Sequence, residues 1–258
     1  MSWLRNKYCY EKTGLNPLYT FNSFIVAPSN RYAYCASAKV AIWPGKAYNP
    51  LLIYGGSGVG KTHLLNAIGN YIFFHHPKLC VQYITTEKLL FDLANQIRRG
   101  NIEIYRKSFK NLDILLIDDV HFLLKREKAA EETIRLIDSS YKWGIQIVMT
   151  CSDFPESFLK LKKIIYKSML SVELKPPCYE TKIAYVKRKC EEEKISLPEK
   201  IIEFMARNIK DDIRALAGAI KKIKAYGSIK NISVEEILSE QTLEKILYEY
   251  LLKFKKLG

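Results

Sequence analysis

The chain has 258 residues, 48% of them hydrophobic, enough to bury the core of one large domain or two small ones, which argues against a disordered chain. Forty-one Lys and Arg against 27 Asp and Glu leave +14 at pH 7; this favours polyanionic partners such as nucleic acid, although a Lys-rich solvated surface gives the same sum. No run reaches the roughly 18 apolar residues of a membrane helix, and Cys9, Cys35, Cys80, Cys151, Cys178 and Cys190 show neither a CxxC pair nor metal-ligand spacing, which points to a reducing compartment.

The first residues, MSWLRNKYCYEKTG, lack the continuous apolar stretch of a signal peptide, so a cytoplasmic protein is expected. From Leu51 to Leu174 short apolar runs alternate with helical patterns: LLIY at Leu51, VQYIT at Val81, DILLID at Asp113, QIVMT at Gln146 and SVEL at Ser171. Such alternation predicts a mostly parallel α/β sheet. Leu64, Leu65, Ile68, Tyr71 and Ile72 share one helical face that would pack on it. After Pro176-Pro177 the strand pattern stops and amphipathic helices follow, the second led by Ser196-Leu-Pro-Glu, with Ser196 as the expected cap. The expected organisation is an α/β subdomain over 1–177 and a helical subdomain over 178–258, whose tail from Gln241 to Gly258 reads as one terminal amphipathic helix.

Gly55, Gly56, Ser57, Gly58, Val59, Gly60, Lys61 and Thr62 satisfy G-x-x-x-x-G-K-[ST] directly after a strand and directly before a helix. In that setting backbone N–H groups and the helix dipole cradle phosphates, Lys61 bridges the β- and γ-phosphates, and Thr62 holds Mg²⁺. A metal carboxylate and a water-orienting group are then needed at a neighbouring strand end. Ile114-Leu-Leu-Ile-Asp118-Asp119 supplies both, Asp118 for Mg²⁺ and Asp119 for the attacking water. Asp119 is one methylene shorter than the Glu other members of this nucleotide-binding class carry, so slow hydrolysis is expected. Thr150 or Asp153, at the tip of the QIVM strand, completes the water-positioning set or caps a helix. Arg214, in Asp211-Asp-Ile-Arg-Ala-Leu, is placed to point a guanidinium at the γ-phosphate. The four histidines fit helix-end and packing positions, and no zinc is assigned.

These pieces together resemble the AAA+ domain of the bacterial chromosomal replication initiator family, DnaA. The resemblance runs over about residues 15 to 238 and rests on Leu15-Asn-Pro-Leu-Tyr-Thr-Phe21, Pro44-Gly-Lys-Ala-Tyr-Asn-Pro into the phosphate loop, Leu115-Leu-Ile-Asp-Asp-Val-His-Phe-Leu123, Pro176-Pro177 through Glu180-Thr-Lys-Ile, and Arg214-Ala-Leu. It implies an AAA+ P-loop NTPase with a five-stranded parallel sheet in the order 5-1-4-3-2, an all-helical lid, ATP or ADP with Mg²⁺, and the adenine near Phe24, Ile25 and Val26. It also implies that Glu87 to Phe109 is the family's extra helical insertion, which contacts single-stranded DNA; Arg98, Arg99, Arg106, Lys107 and Lys110, with Arg126 and Lys128 beyond, would suit its phosphates.

Two departures qualify the resemblance. The chain ends at Gly258 without the family's helix-turn-helix domain, so sequence-specific duplex binding is not expected. Where the family carries two arginines, one reaching a neighbour's ATP, this sequence has Ile165 and Met169, with Lys163 and Lys167 nearby; neither apolar side chain can stabilise phosphoryl charge. The leading expectation is a DnaA-like ATPase acting in replication initiation or its control, through the initiator, other AAA+ subunits or single-stranded DNA. The alternatives are a helicase loader, a clamp-linked initiator inactivator, or a nucleic-acid binder whose ATP site is structural.

Overall fold

All five apolar runs form strands: β1 Leu51–Tyr54, β2 Val81–Thr85, β3 Ile114–Asp118, β4 Gln146–Cys151 and β5 Leu170–Glu173. Every pairing is parallel and the order is β2-β3-β4-β1-β5, the expected 5-1-4-3-2 order read from the other edge. The structure, a computed structural model, describes residues 10–125, 127–153, 169–209, 212–230 and 240–251, with the backbone alone at 124–125, 127–129, 230 and 240–242. Ile165, Lys163, Lys167 and Arg126 lie outside the described residues, as does the side chain of Lys128.

A parallel sheet needs helices over both faces, and the sequence supplies them between the strands. They are α1 Arg31–Ile42, α2 Lys61–His75, α3 Thr86–Arg98, α4 Ile102–Ser108 and α5 Glu127–Lys142. Side chains alternate across β3: Leu115 and Ile117 join Leu89 and Leu93 of α3 and Leu136 and Ile137 of α5 in one core, while Leu116 lies against α2 at Gly69. Glu87 to Phe109 therefore falls on α3 and α4 between β2 and β3, where the resemblance puts the insertion; Gly100, at φ 70°, breaks it into two helices.

Residues 10–24 are fastened to α2 by buried asparagines. Asn70 donates to the carbonyls of Asn16 and Tyr19, each at 2.8 Å, and accepts from the Tyr10 hydroxyl at 2.5 Å; Asn66 accepts from the Asn16 N–H at 2.8 Å. Spatial grouping divides the chain into two compact units. One takes residues up to 24, 30–56 and 60–174; the other takes 25–29, 57–59 and 175 onward.

The second unit is built on α6 Tyr179–Glu193, α7 Glu199–Asn208, α8 Ile213–Lys230 and α9 Glu240–Leu247 around Val186, Ile202, Met205, Leu216, Ile220 and Leu247. Buried Lys182 donates to the Ile209 carbonyl at 2.9 Å, just past the end of α7. Two expectations change here. Ser196 does not cap α7: the helix starts at Glu199 with Pro198 in the cap position, its φ of −55° already set by the ring. The terminal helix stops at Leu247, because a 3-10 turn over Tyr248–Tyr250 is needed to bring Leu251 into the core and into a bridge with Ile209.

The asparagine staple yields a stability prediction. Asn70→Ala removes three hydrogen bonds and strands two carbonyls, so urea unfolding should give a stability loss of about 2–3 kcal/mol.

Candidate nucleotide site

Three adjacent strands, β3, β4 and β1, deliver the candidate residues at their C-terminal ends, where ligands of open α/β sheets bind. The pairing register places Ile53, the second-last residue of β1, opposite Thr150, and Thr85 opposite Asp118. β1 runs directly into the glycine-rich loop, and α2 begins with Lys61 and Thr62. Gly60 occupies the helix N-cap at φ 107°, a backbone state that residues with a Cβ rarely reach; it turns the chain so the first N–H groups of α2 face the loop.

The centre of the site is Asp118, 3% exposed at the end of β3. Its Oδ2 accepts from the Thr62 hydroxyl and from the Tyr83 phenol, each at 2.8 Å, and its Oδ1 accepts from the Thr150 hydroxyl. Its backbone carbonyl accepts from the buried Thr86 hydroxyl at 2.8 Å. Burial, reinforced by the Asp118 charge, pushes the Tyr83 phenol well above the usual tyrosine range, so it stays protonated and donates. All three side chains that bond this buried carboxylate are neutral hydroxyls, so none of them brings a countercharge. This donor set fits a hard divalent cation, with Thr62 and Asp118 as the oxygens that would hold Mg²⁺. The Lys61 ammonium is folded over the loop, donating to the Gly55 and Gly56 carbonyls at 2.7 Å each, and so lies within reach of a phosphate cradled there.

Asp119 follows with φ 57°, a left-handed conformation uncommon outside glycine and tolerated by Asp. Its N–H donates to the Thr150 hydroxyl at 2.8 Å, and its side chain, 42% exposed, lies 3.8 Å from His121 Nδ1. Thr150 is thus bonded to both aspartates, whereas Asp153 is exposed two residues beyond β4. His63 closes the other side of the first turn of α2: its Nε2 lies 2.9 Å from the Thr20 carbonyl and 3.1 Å from Ser23 Oγ, and its ring meets Tyr19 and Phe24.

The loop tip belongs to the helical unit. The Ile213 N–H donates to the Gly58 carbonyl at 3.0 Å, and Arg214 donates to the Ser57 hydroxyl. Asp212 caps α8 by accepting from the Arg214 N–H at 2.7 Å, and a methyl at Gly58 would overlap its carboxylate. Val59 is buried, Ile25 half-buried and Val26 exposed. On the insertion, Arg98, Arg99 and Lys107 are exposed, whereas Arg106 is held by Glu103 and Glu132 and Lys110 lies over the Trp143 ring. The structure adds Tyr83, Thr86 and Asp212 to the residues the sequence points to. Asp212 carried a signal, an acidic residue just before a helix. Tyr83 and Thr86 carried none, since only the β2–β3 register brings them to Asp118.

The parallel sheet, the loop and the aspartate at the end of β3 define an AAA+ P-loop NTPase fold. A profile of the bacterial DnaA ATPase domain matches residues 15–174. The chain belongs to that family. It is 40% identical over 243 residues to the chromosomal replication initiator protein DnaA of Cutibacterium acnes, covering 93% of this chain and 48% of that protein; it spans about half the length of the curated relatives it matches. Domain III of the Thermotoga maritima replication initiation protein DnaA superposes with a TM-score of 0.81 at 36% identity, covering 92% of this chain and 99% of that one. AMPPCP-bound DnaA from Aquifex aeolicus gives 0.73 at 30% identity, covering 83% and 67%. Among the described residues, no helix is long and apolar enough to cross a membrane and no cluster of three His, Cys, Asp or Glu could hold a metal.

Tyr83→Phe removes one of three donors to Asp118. It should leave ADP binding in EDTA unchanged and raise the Mg²⁺ concentration needed for the metal-dependent part of binding about 5- to 10-fold. A calorimetric Mg²⁺ titration reads both.

Proposed function

We propose that the chain binds ATP and ADP with Mg²⁺ at the 55–62 loop and acts as a nucleotide switch in replication initiation or its control, through contact with the initiator, other AAA+ subunits or single-stranded DNA. One observation carries the reading: in a chain of this family, Lys61 caps the loop while Thr62 and Thr150 converge on buried Asp118. In this reading Lys61 binds phosphate, Thr62 and Asp118 hold Mg²⁺, and Asp119, carried on a backbone fixed by Thr150, orients water. Asp153 remains a candidate for the same task. The lid reads the triphosphate through Arg214, whose hold on Ser57 supports that role. Ile25 and Val26 receive the adenine. Mg²⁺ would neutralise charge developing on the phosphates.

Hydrolysis is slow in this reading, because Asp119 is short and the finger arginines are replaced at Ile165 and Met169; Met169 packs against the sheet core. Such a subunit caps an assembly rather than extends it. For single-stranded DNA the exposed Arg98, Arg99 and Lys107 are the contacts. Arg106 is tied to Glu103 and Glu132, which leaves it a lesser part.

Lys61→Ala should weaken ATP and ADP binding about 10- to 100-fold by calorimetry at saturating Mg²⁺. Wild-type chain that exchanges no heat with either nucleotide would overturn the proposal. Hydrolysis per chain should stay flat as protein concentration rises; a steep rise with long ATP-dependent filaments would contradict the capping role.

A further inference from the structure

The end of the sheet opposite the phosphate loop carries a feature the nucleotide site does not use. Four segments lead into adjacent strands there: 76–80 into β2, 110–113 into β3, 142–145 into β4 and 43–50 into β1. Together they hold Lys46, Lys78, Lys110 and Lys142, with one acid of their own, Asp113, whose carboxylate is engaged by the Cys80 N–H at 2.8 Å; Lys142 is paired with Asp138 of α5 at 2.6 Å, so Lys46, Lys78 and Lys110 carry the charge of this face. Two tryptophans stand among them, Trp43 at 52% exposure and Trp143 at 37%.

The segments are locked together. The Gly45 N–H donates to Gln146 Oε1 at 2.8 Å, and Gln146 Nε2 donates to the Tyr48 carbonyl at 2.9 Å. Asn49 donates to the Ile145 carbonyl and accepts from the Ile147 N–H, each at 2.9 Å. On the other side the Gln146 N–H donates to the Asp113 carbonyl at 2.9 Å. Both tryptophans are fixed at the ends of helices, the Trp43 N–H on Lys39 O and the Trp143 N–H on Ser139 O, each at 3.0 Å. Lysines already sit on the local rings: Lys110 Nζ is 5.1 Å from the Trp143 ring centre, and Lys39 Nζ is 5.1 Å from that of Tyr48.

Exposed aromatic faces set among cations are what a single-stranded nucleic acid needs: rings on which bases stack and charges that track the phosphates. A duplex offers no free base face to an indole, and a protein-binding core is depleted in lysine. We propose that the strand-start face of the sheet, centred on Trp43 and Trp143, is a second binding surface for single-stranded nucleic acid, separate from the phosphate loop and from the α3–α4 insertion. The strands are four to six residues long, which sets this surface about 15–20 Å from the phosphate loop. It does not rest on the nucleotide reading.

The test uses the full chain with fluorescein-labelled oligo(dT) in EDTA without nucleotide, read by anisotropy and by quenching of tryptophan fluorescence. Trp43→Ala with Trp143→Ala should weaken binding roughly 10-fold per ring and remove most of the quench. Trp43→Phe with Trp143→Phe, which keeps a stacking face, should restore most of the affinity. Lys46→Ala with Lys110→Ala should lower the slope of log affinity against log salt by about 0.7 per lysine. Arg98→Ala with Arg99→Ala should leave the quench in place. Thermal unfolding of each variant checks that the fold is intact. Wild-type affinity and salt slope in the tryptophan-to-alanine variant, or equal affinity for an abasic oligonucleotide, would overturn the proposal.

Discussion

A buried carboxylate organises this molecule. Asp118 is nearly inaccessible and is satisfied by hydroxyls from β2, β4 and the first turn of α2, so three separate elements are registered on one pair of oxygens. Leaving such a charge without donors would cost several kcal/mol, so the strand ends must close to within hydrogen-bond distance. That requirement aligns the loop after β1 with the tip of β4. It also fixes where Asp119 emerges, because the Thr150 hydroxyl that donates to Asp118 accepts from the Asp119 N–H. Because the donors are neutral hydroxyls, the geometry that orders the strand ends is also one that would suit a cation.

The sheet and the loop were legible in the sequence because each carries its signal locally. Apolar runs of strand length, separated by helical patterns, leave few arrangements for a parallel sheet, and G-x-x-x-x-G-K-T between a strand and a helix specifies a phosphate cradle. The order of the strands came from the resemblance, since a local pattern does not say which strand lies beside which. Contacts made across the sheet were not legible: Tyr83 reads as an ordinary strand aromatic until the β2–β3 register sets its phenol on Asp118. The same limit separates Thr150 from Asp153. Thr150 lies within β4, next to β3, and bonds both aspartates, whereas Asp153 stands exposed two residues past the strand's end.

Ends of helices were the least legible. Ser196 had the right chemistry for a cap, but Pro198 begins the turn by its ring geometry, and a capping hydroxyl must directly precede the first helical residues to reach their N–H groups. The terminal segment had helical spacing, yet burial of Leu251 against Ile209 required the chain to leave the helix after Leu247. In both places tertiary packing or a ring constraint overrode a correct local preference. Arg106 makes the same point for charge: composition counts it with its exposed neighbours, whereas Glu103 and Glu132 have already claimed it.

The tip of the glycine loop has a divided allegiance. Gly55, Gly56 and Gly60 group with the sheet, while Ser57, Gly58 and Val59 group with the helices, tied to them by the Gly58 carbonyl and the Ser57 hydroxyl. Those three residues therefore pack with a part of the chain far from them in sequence. With its carbonyl already taken by the Ile213 N–H, Gly58 at φ 71° has its backbone set by the start of α8, and the tip's curvature is therefore inherited from a helix more than 150 residues further along the chain.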